Sequence, residues 1–173
     1  INYYVSTGFM GQQGLLKVGN EEFNRFNIDA KVTAKANDWL SIEFLTKFRH
    51  NNENFPWNPT FGRAWIMNWI SKLKPGLPVF YDGTDIYTTN SRIGEWKVTR
   101  EDWKRNQLTL SPRLVFEPVK DWVTNVQFNY VSNENRGTFV APQFEWIRPS
   151  GTIDFQPGNR EGTRYNAVMQ HNE

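Results

Sequence analysis

Apolar and polar side chains alternate residue by residue between positions 26 and 48. In the first arm the even positions are apolar, and they are Phe26, Ile28, Ala30, Val32 and Ala34. The second arm, Leu40 to Phe48, repeats the alternation with Thr46 and Leu45 as exceptions. Turn-forming residues 35–38 separate the two arms. This pattern of period two predicts a β-hairpin with one apolar face and one charged face.

The same alternation recurs along the chain and predicts an all-β, antiparallel protein. The predicted strands cover residues of about 1–10, 26–34, 39–48, 107–117, 122–131 and 163–169. Pro112 lies on the apolar side of the fourth strand and has no N–H to donate. We therefore expect a bulge or a locally unpaired site there.

Two long segments, 49–105 and 132–162, lack strand periodicity and are predicted to be loops. Within the first, Phe61 to Lys74 predicts a short helix, because Trp65, Trp69 and Leu73 recur every four residues before Pro75. Short turns and long loops alternate in order. All short turns are therefore expected at one end of the sheet and all long loops at the other.

Two architectures can use such strands. In a soluble sandwich the apolar face packs on a second sheet, whereas in a membrane barrel it faces lipid and the charged face lines a wet lumen. Strand length, loop asymmetry and aromatic residues near strand ends favour the barrel. Mean hydropathy is −0.67 although 16% of residues are aromatic, which also fits barrel strands. The expected fold is an antiparallel transmembrane β-barrel segment with long extracellular loops and a short loop helix.

Charge and motifs exclude several functional classes. Net charge is +2, and the basic stretch Lys97 to Arg105 is interrupted by Glu101 and Asp102, so no nucleic-acid site is predicted. No nucleophile, phosphate-loop or metal-protease motif occurs, and Asp82 to Asp85 is interpreted as a plain turn. We predict no enzyme activity, no metal and no cofactor. The chain has no cysteine, which excludes thiolate sites.

Three motifs resemble the SusC-like branch of TonB-dependent outer-membrane transporters. Asn2-Tyr3-Tyr4-Val5-Ser6 running into Gly11-Gln12-Gln13-Gly14-Leu15-Leu16 is similar to the family's "YYxSxGYxxQEGI" strand. Asn24-Arg25-Phe26 followed by the Asp38-Trp39-Leu40 turn also fits. Pro78 to Thr84 resembles a "PVYxxDGT" segment of a long outer loop.

This resemblance implies a location in the bacterial outer membrane. The chain would be an early part of a barrel of about 22 strands, with the plug domain outside it. Such transporters import large nutrients, oligosaccharides or peptides, together with a SusD-like surface lipoprotein. TonB, ExbB and ExbD supply the energy. Because the alternation is already under way at Ile1, we expect a segment of a longer protein.

Six aromatic residues of the first long loop are the candidate contacts for a partner or a ligand: Trp57, Trp65, Trp69, Tyr81, Trp96 and Trp103. They could form the loop's own core, contact a lid protein, or stack on a sugar substrate. The alternative function is a soluble or surface-attached carbohydrate-binding β-sandwich. There the same aromatic loops would form the binding edge.

Overall fold

The computed structural model describes residues 1–16, 18–57, 64–73, 76–89, 93–156 and 160–172. For residues 64, 65, 144, 156 and 160–172 the description covers the backbone alone. The strands are β1 (Asn2–Gln13), β2 (Glu22–Lys35), β3 (Leu40–Phe55), β4 (Arg100–Val119), β5 (Trp122–Gln127), β6 (Asn129–Ala141), β7 (Phe144–Ile147), β8 (Ile153–Gln156) and β9 (Arg160–Asn172). The helices are α1 (Ala64–Lys72) and α2 (Ile93–Val98).

Seven strands form one antiparallel sheet in the order β1-β2-β3-β4-β6-β9, with β5 paired to the far end of β4. Strands β7 and β8 form a separate two-stranded hairpin. The prediction of an all-β antiparallel fold is confirmed at this level. None of the helices in the described ranges is long and apolar enough to cross a membrane.

The strands are longer than the sequence predicted, and the predicted loop bounds 49–105 and 132–162 are wrong. β3 continues to Phe55 and β4 already begins at Arg100, paired residue by residue. β6 likewise continues to Ala141. Between Phe48 and Phe55 both faces of β3 are polar, so the apolar alternation disappears while the backbone ladder continues. The connections themselves are shorter, residues 56–99 and 142–159.

The predicted strand 122–131 is interrupted at Phe128, opposite Pro112. Pairing of β4 with β5 ends at Arg113 and Gln127, and pairing with β6 starts at Leu110 and Tyr130. Between them the Phe128 N–H donates to the Pro112 carbonyl at 3.0 Å. Proline has no N–H to return that bond. The local defect expected from Pro112 is therefore present.

The connections are sorted by length between the two ends of the sheet. At one end are the turn 36–39, where the Ala36 N–H donates to the Leu40 carbonyl at 2.9 Å, and the two-residue turn 120–121. Asp121 takes a left-handed φ of 68° in that turn. The connections 14–21, 56–99 and 142–159 lie at the other end. The predicted asymmetry is confirmed.

The small buried core lies at the long-loop end rather than against the sheet. Its apolar members are Ile66, Trp96, Ala141, Trp146 and Ile147. A parallel bridge between Thr88 and Ile147 joins the first long connection to the β7–β8 hairpin. The helix expected from Phe61 to Lys74 appears as α1, within the described part of that range.

Candidate functional site

One face of the sheet, termed the apolar face, carries aliphatic and aromatic side chains across β1 to β6. Register places them side by side: Val5 is paired with Ala30, Val32 with Phe44, and Ile42 with Leu114. Its members are Tyr3, Val5, Phe9, Phe26, Ile28, Ala30, Val32, Ala34, Leu40, Ile42, Phe44, Phe48, Leu108, Leu110, Pro112, Leu114, Phe116, Val126 and Phe128. The apolar band is about nine residues long in β1 to β4, and it runs from Trp122 in β5 to Tyr130 in β6.

The apolar face is uncovered by any described element. Phe9 is 75% exposed, Val126 62% and Phe44, near the middle of the sheet, 43%. The total accessible surface is 11,891 Å². A compact protein of 20.4 kDa exposes about 8,800 Å² by the usual scaling of surface with mass. A single-layer sheet with one bare apolar face contributes to that excess.

The apolar band does not run perpendicular to the strands. Its midpoints are Val5, Ala30, Phe44, Pro112 and Val126 in order across the sheet. Val5 is paired with Ala30 and Phe44 with Pro112, but Ala30 is paired with Thr46 and Pro112 lies opposite Phe128. The midpoint thus shifts by two residues, in the same direction, at every second strand. The band is inclined to the strands.

Above the apolar band, on the same face, a polar row begins abruptly. His50 and Asn106 are cross-strand partners, with His50 Nδ1 2.6 Å from Asn106 Oδ1. The Asn106 amide in turn donates to Glu134 at 3.2 Å. The row directly below contains Phe48 and Leu108. Apolar and polar zones therefore meet within one side-chain spacing.

Aromatic residues mark the short-turn edge of the apolar face. The Trp39 and Phe116 rings meet edge to face with centroids 5.2 Å apart. Trp122, which opens β5, is 62% exposed. Trp39 is the last residue of one short turn, and Trp122 directly follows the other. This edge consequently carries large amphipathic side chains facing solvent.

The opposite face, termed the polar face, carries amide and charged side chains. Lys31 and Arg113 both contact Glu43, with N–O distances of 3.2 and 3.8 Å. Nearer the long loops, amide and guanidinium side chains form cross-strand rows. The rows contain Asn27, Arg49, Gln107 and Asn133, then Arg25, Asn51, Arg105 and Asn135.

Two shallow, polar depressions lie on this face. The first, of about 130 Å³, is bordered by Asn27, Asp29, Lys47 and Gln107. The second, of about 150 Å³, is bordered by Arg49, Asn51, Arg105, Gln107 and both Asn133 and Asn135. The amides supply hydrogen-bond donors and acceptors, and the guanidinium groups supply donors. This combination suits hydroxyl-rich or peptide ligands.

Sequence reasoning missed most of this surface. Alternation predicts that Asp29, Lys31, Glu43, Lys47 and Arg113 lie on the face opposite the apolar side chains. The row residues on β3 and β4 fell instead in the segment taken for a loop. Alternation continued beyond Phe48 puts Asn51 and Glu53 on the same face as Lys47.

Trp103 is held on the polar face beside the amide rows. Its indole lies over Gly137, where an added Cβ would come within 2.8 Å of the ring. Its Nε1–H donates to Glu101 at 2.8 Å, and the Arg105 guanidinium sits 5.7 Å from the ring centroid. Arg105 also pairs with the nearly buried Glu53 at 2.9 Å. The Trp103 ring is therefore held in place by these contacts and remains partly exposed.

The other candidate aromatic residues have different surroundings. Trp57 is partly buried against Phe139, with centroids 5.0 Å apart. Trp96 is 4% exposed and belongs to the loop core, and Trp69 is partly buried in α1. Tyr81 borders an open groove formed by residues 80–85. Trp65 lies in α1, but its side chain is outside the description. The structure does not bring these residues to one site.

The β7–β8 hairpin carries an exposed ion pair. Arg148 contacts the Asp154 carboxylate through Nε at 3.0 Å and Nη2 at 2.6 Å. The hydrogen bonds from Arg148, with one from the Phe155 backbone N–H, hold the pKa of Asp154 below its ordinary value. Among the described residues no three His, Asp or Glu side chains cluster closely enough to hold a metal ion.

Comparison with protein-family models, with curated proteins and with solved structures finds no match to this chain. The assignment of a function therefore depends on the two faces of the sheet and on its loops.

Proposed function

We propose that this chain forms part of the barrel wall of a SusC-like TonB-dependent transporter in the bacterial outer membrane. The single observation that carries the proposal is the wide, uncovered apolar face on a single-layer antiparallel sheet whose other face is polar. Apart from the defect at Pro112, the backbone groups of the inner strands are paired to neighbouring strands, as a bilayer requires. Outer-membrane lipid is the environment that suits the apolar face.

The dimensions of the apolar band support a lipid-facing role. From Leu40 to Phe48 the band is about 27 Å long at 3.4 Å per residue. The drift of its midpoint averages one residue per strand, which with strands about 4.8 Å apart corresponds to an inclination of about 35°. Outer-membrane barrel strands tilt by roughly 35–45°. The band then has a height of about 22 Å, close to the ~25 Å apolar belt of such barrels.

The ends of the band also support this orientation. Trp39 and Trp122 at the short-turn edge have the amphipathic character of interfacial anchors. The polar row containing His50 and Asn106 begins where the hydrocarbon would end. Short turns at one end and long connections at the other follow the periplasmic and extracellular pattern of outer-membrane barrels.

The polar face and the loops support a role in nutrient uptake. In the proposed transporter the rows of Asn, Gln and Arg side chains line the wet interior. There they contact the plug domain or a passing oligosaccharide or peptide. The loop core around Trp96 and Trp146 gives the extracellular side a folded surface for a SusD-like lipoprotein. TonB, ExbB and ExbD would act through the plug, outside this segment.

The alternative, a soluble carbohydrate-binding β-sandwich, requires a second layer over the apolar face. No element in the described ranges supplies that layer. The sandwich therefore lacks a supporting observation.

A pair of neighbouring cysteine variants tests the orientation of the sheet. The chain has no native cysteine, so Phe44→Cys and Leu45→Cys each introduce one thiol, on the apolar and the polar face respectively. A nitroxide label is attached in the full-length protein reconstituted in lipid vesicles. The label at position 44 should be relaxed more by oxygen than by a water-soluble nickel chelate. The label at position 45 should show the reverse.

Labels at position 44 that respond chiefly to the nickel chelate, or to neither reagent, would refute the lipid-facing assignment. Uptake is tested separately, with labelled oligosaccharides and peptides in cells with and without TonB. Loss of uptake without TonB is the expected result. Uptake that persists unchanged without TonB contradicts the energised transport reaction while leaving the membrane orientation intact.

A further inference from the structure

Lys104 on β4 and Arg136 on β6 are direct cross-strand partners on the same side of the sheet as the apolar face. Both side chains are exposed. Like charges directly opposite each other are destabilising in an antiparallel pair. An anion bound between the two cations would relieve this repulsion.

The acids nearest this pair are engaged elsewhere. Asp102, two residues along β4, contacts the Arg100 guanidinium at 2.7 Å. Glu134, two residues along β6, accepts from Asn106. Within the described contacts neither Lys104 nor Arg136 pairs with a carboxylate. On β9, the next strand of the sheet, the partner of Arg136 is Tyr165 and not an acidic residue.

The row around the two cations adds further hydrogen-bond donors. Asn52 is the partner of Lys104 on β3, and Asn24 is the partner of Asn52 on β2. Arg can engage a phosphate through two parallel N–H groups, while the Lys ammonium and the amides supply further donors. The combination suits a compact oxyanion bearing more than one acceptor oxygen.

We infer that Lys104 and Arg136 bind the phosphate of an anionic lipid headgroup at the long-loop edge of the apolar face. This inference rests on the proposed membrane orientation. Lys104 is four residues above Leu108, the last apolar residue of its strand. That is about 14 Å along the strand, or about 11 Å in height at a tilt of roughly 35°.

The Lys104 and Arg136 side chains then span the distance from the backbone to the lipid headgroups. Headgroup layers extend about 5–8 Å beyond the hydrocarbon on each side of a bilayer. Arg136, one strand further, is about 3 Å higher than Lys104 at the same tilt. Lys and Arg side chains reach about 6–7 Å and direct their charged ends toward headgroups in this manner. Their charged groups therefore meet the lipid phosphates.

The test uses the full-length protein in detergent micelles, titrated with phosphatidic acid and observed by native mass spectrometry. The double variant Lys104→Gln/Arg136→Gln removes both cations. The matched control Lys47→Gln/Arg49→Gln removes one exposed lysine and one exposed arginine from the polar face. We expect the double variant to bind phosphatidic acid about 10- to 30-fold more weakly than the wild type. The reason is that each of the two cations adds a similar factor to the affinity for an anionic lipid. The control should change binding less than about twofold.

Three further arms distinguish the sources of binding. Phosphatidylcholine should bind equally to all variants, and inorganic phosphate should not displace phosphatidic acid. Lys104→Arg should retain binding. Equal affinity of the double variant and the control, or full displacement by inorganic phosphate, would overturn the inference. Failure of the labelled Phe44→Cys protein to report lipid would instead overturn the proposed function.

Discussion

An arginine placed at the centre of the apolar face should destabilise the protein far more than one placed at its edge. Ala30 is the midpoint of the band in β2, and Ala34 is its last residue at the short-turn end. Both are alanines on the same strand and the same face, so propensity and side-chain volume change equally in Ala30→Arg and Ala34→Arg. Only depth differs, by about 14 Å along the strand or about 11 Å in height.

The expected magnitudes follow from this depth. Arginine facing lipid at the bilayer midplane costs about 2–4 kcal/mol, and near the interface about 0–1 kcal/mol. The difference of about 1–4 kcal/mol corresponds to roughly 5- to 1,000-fold in the folding equilibrium. Guanidinium chloride unfolding of the full-length protein in lipid vesicles, followed by tryptophan fluorescence, measures both variants against the wild type.

Equal costs at the two positions would refute the depth argument. A large cost at both positions would indicate protein packed over the whole face, as in a sandwich. A negligible cost at both would indicate that the face is open to water. Val123→Arg, at an exposed site in β5, serves as an additional control for nonspecific effects of a new charge.

Two further predictions concern the polar face and the loops. Gly137→Ala should cost about 1–3 kcal/mol in unfolding experiments, because the new Cβ meets the Trp103 ring; the cost should largely vanish in a Trp103→Ala background, and a cost that persists there contradicts the contact. Because the Arg148 hydrogen bonds lower the folded-state pKa of Asp154, its contribution to stability is present above about pH 4 and is lost as pH falls through the lowered value. An NMR titration should find the Asp154 midpoint below the ordinary range, and Arg148→Gln should raise it; an unchanged midpoint argues against the pair.

The apolar halves of the strands could be predicted from the sequence because burial or lipid contact on one face imposes period two. The remaining halves could not, since residues such as Asn51 and Arg105 follow a continuous backbone ladder without any contrast between faces. Pro112 could be interpreted locally, because a missing N–H has the same consequence in any sheet. Register was the decisive unknown for the site: Lys104 and Arg136 are separated by more than thirty positions, and only the pairing of β4 with β6 brings them together.

The six aromatic candidates illustrate a different limit. Spacing placed Trp96 and Trp103 in one loop, but their roles depend on tertiary packing: one is enclosed in the loop core and the other lies over a glycine of a distant strand. Composition could identify a loop rich enough in aromatic residues to fold. It could not say which rings remain accessible to a partner.

The continuation of β3 from Phe48 to Phe55 has a consequence for how an outside protein could engage the loops. Seven further residues extend the sheet by about 24 Å, or about 19 Å in height at the proposed tilt. In the proposed membrane orientation, this extension would hold the folded loops about 19 Å above the edge of the hydrocarbon. A lipid-anchored partner would therefore need an extended linker of about six residues for its folded domain to reach these loops.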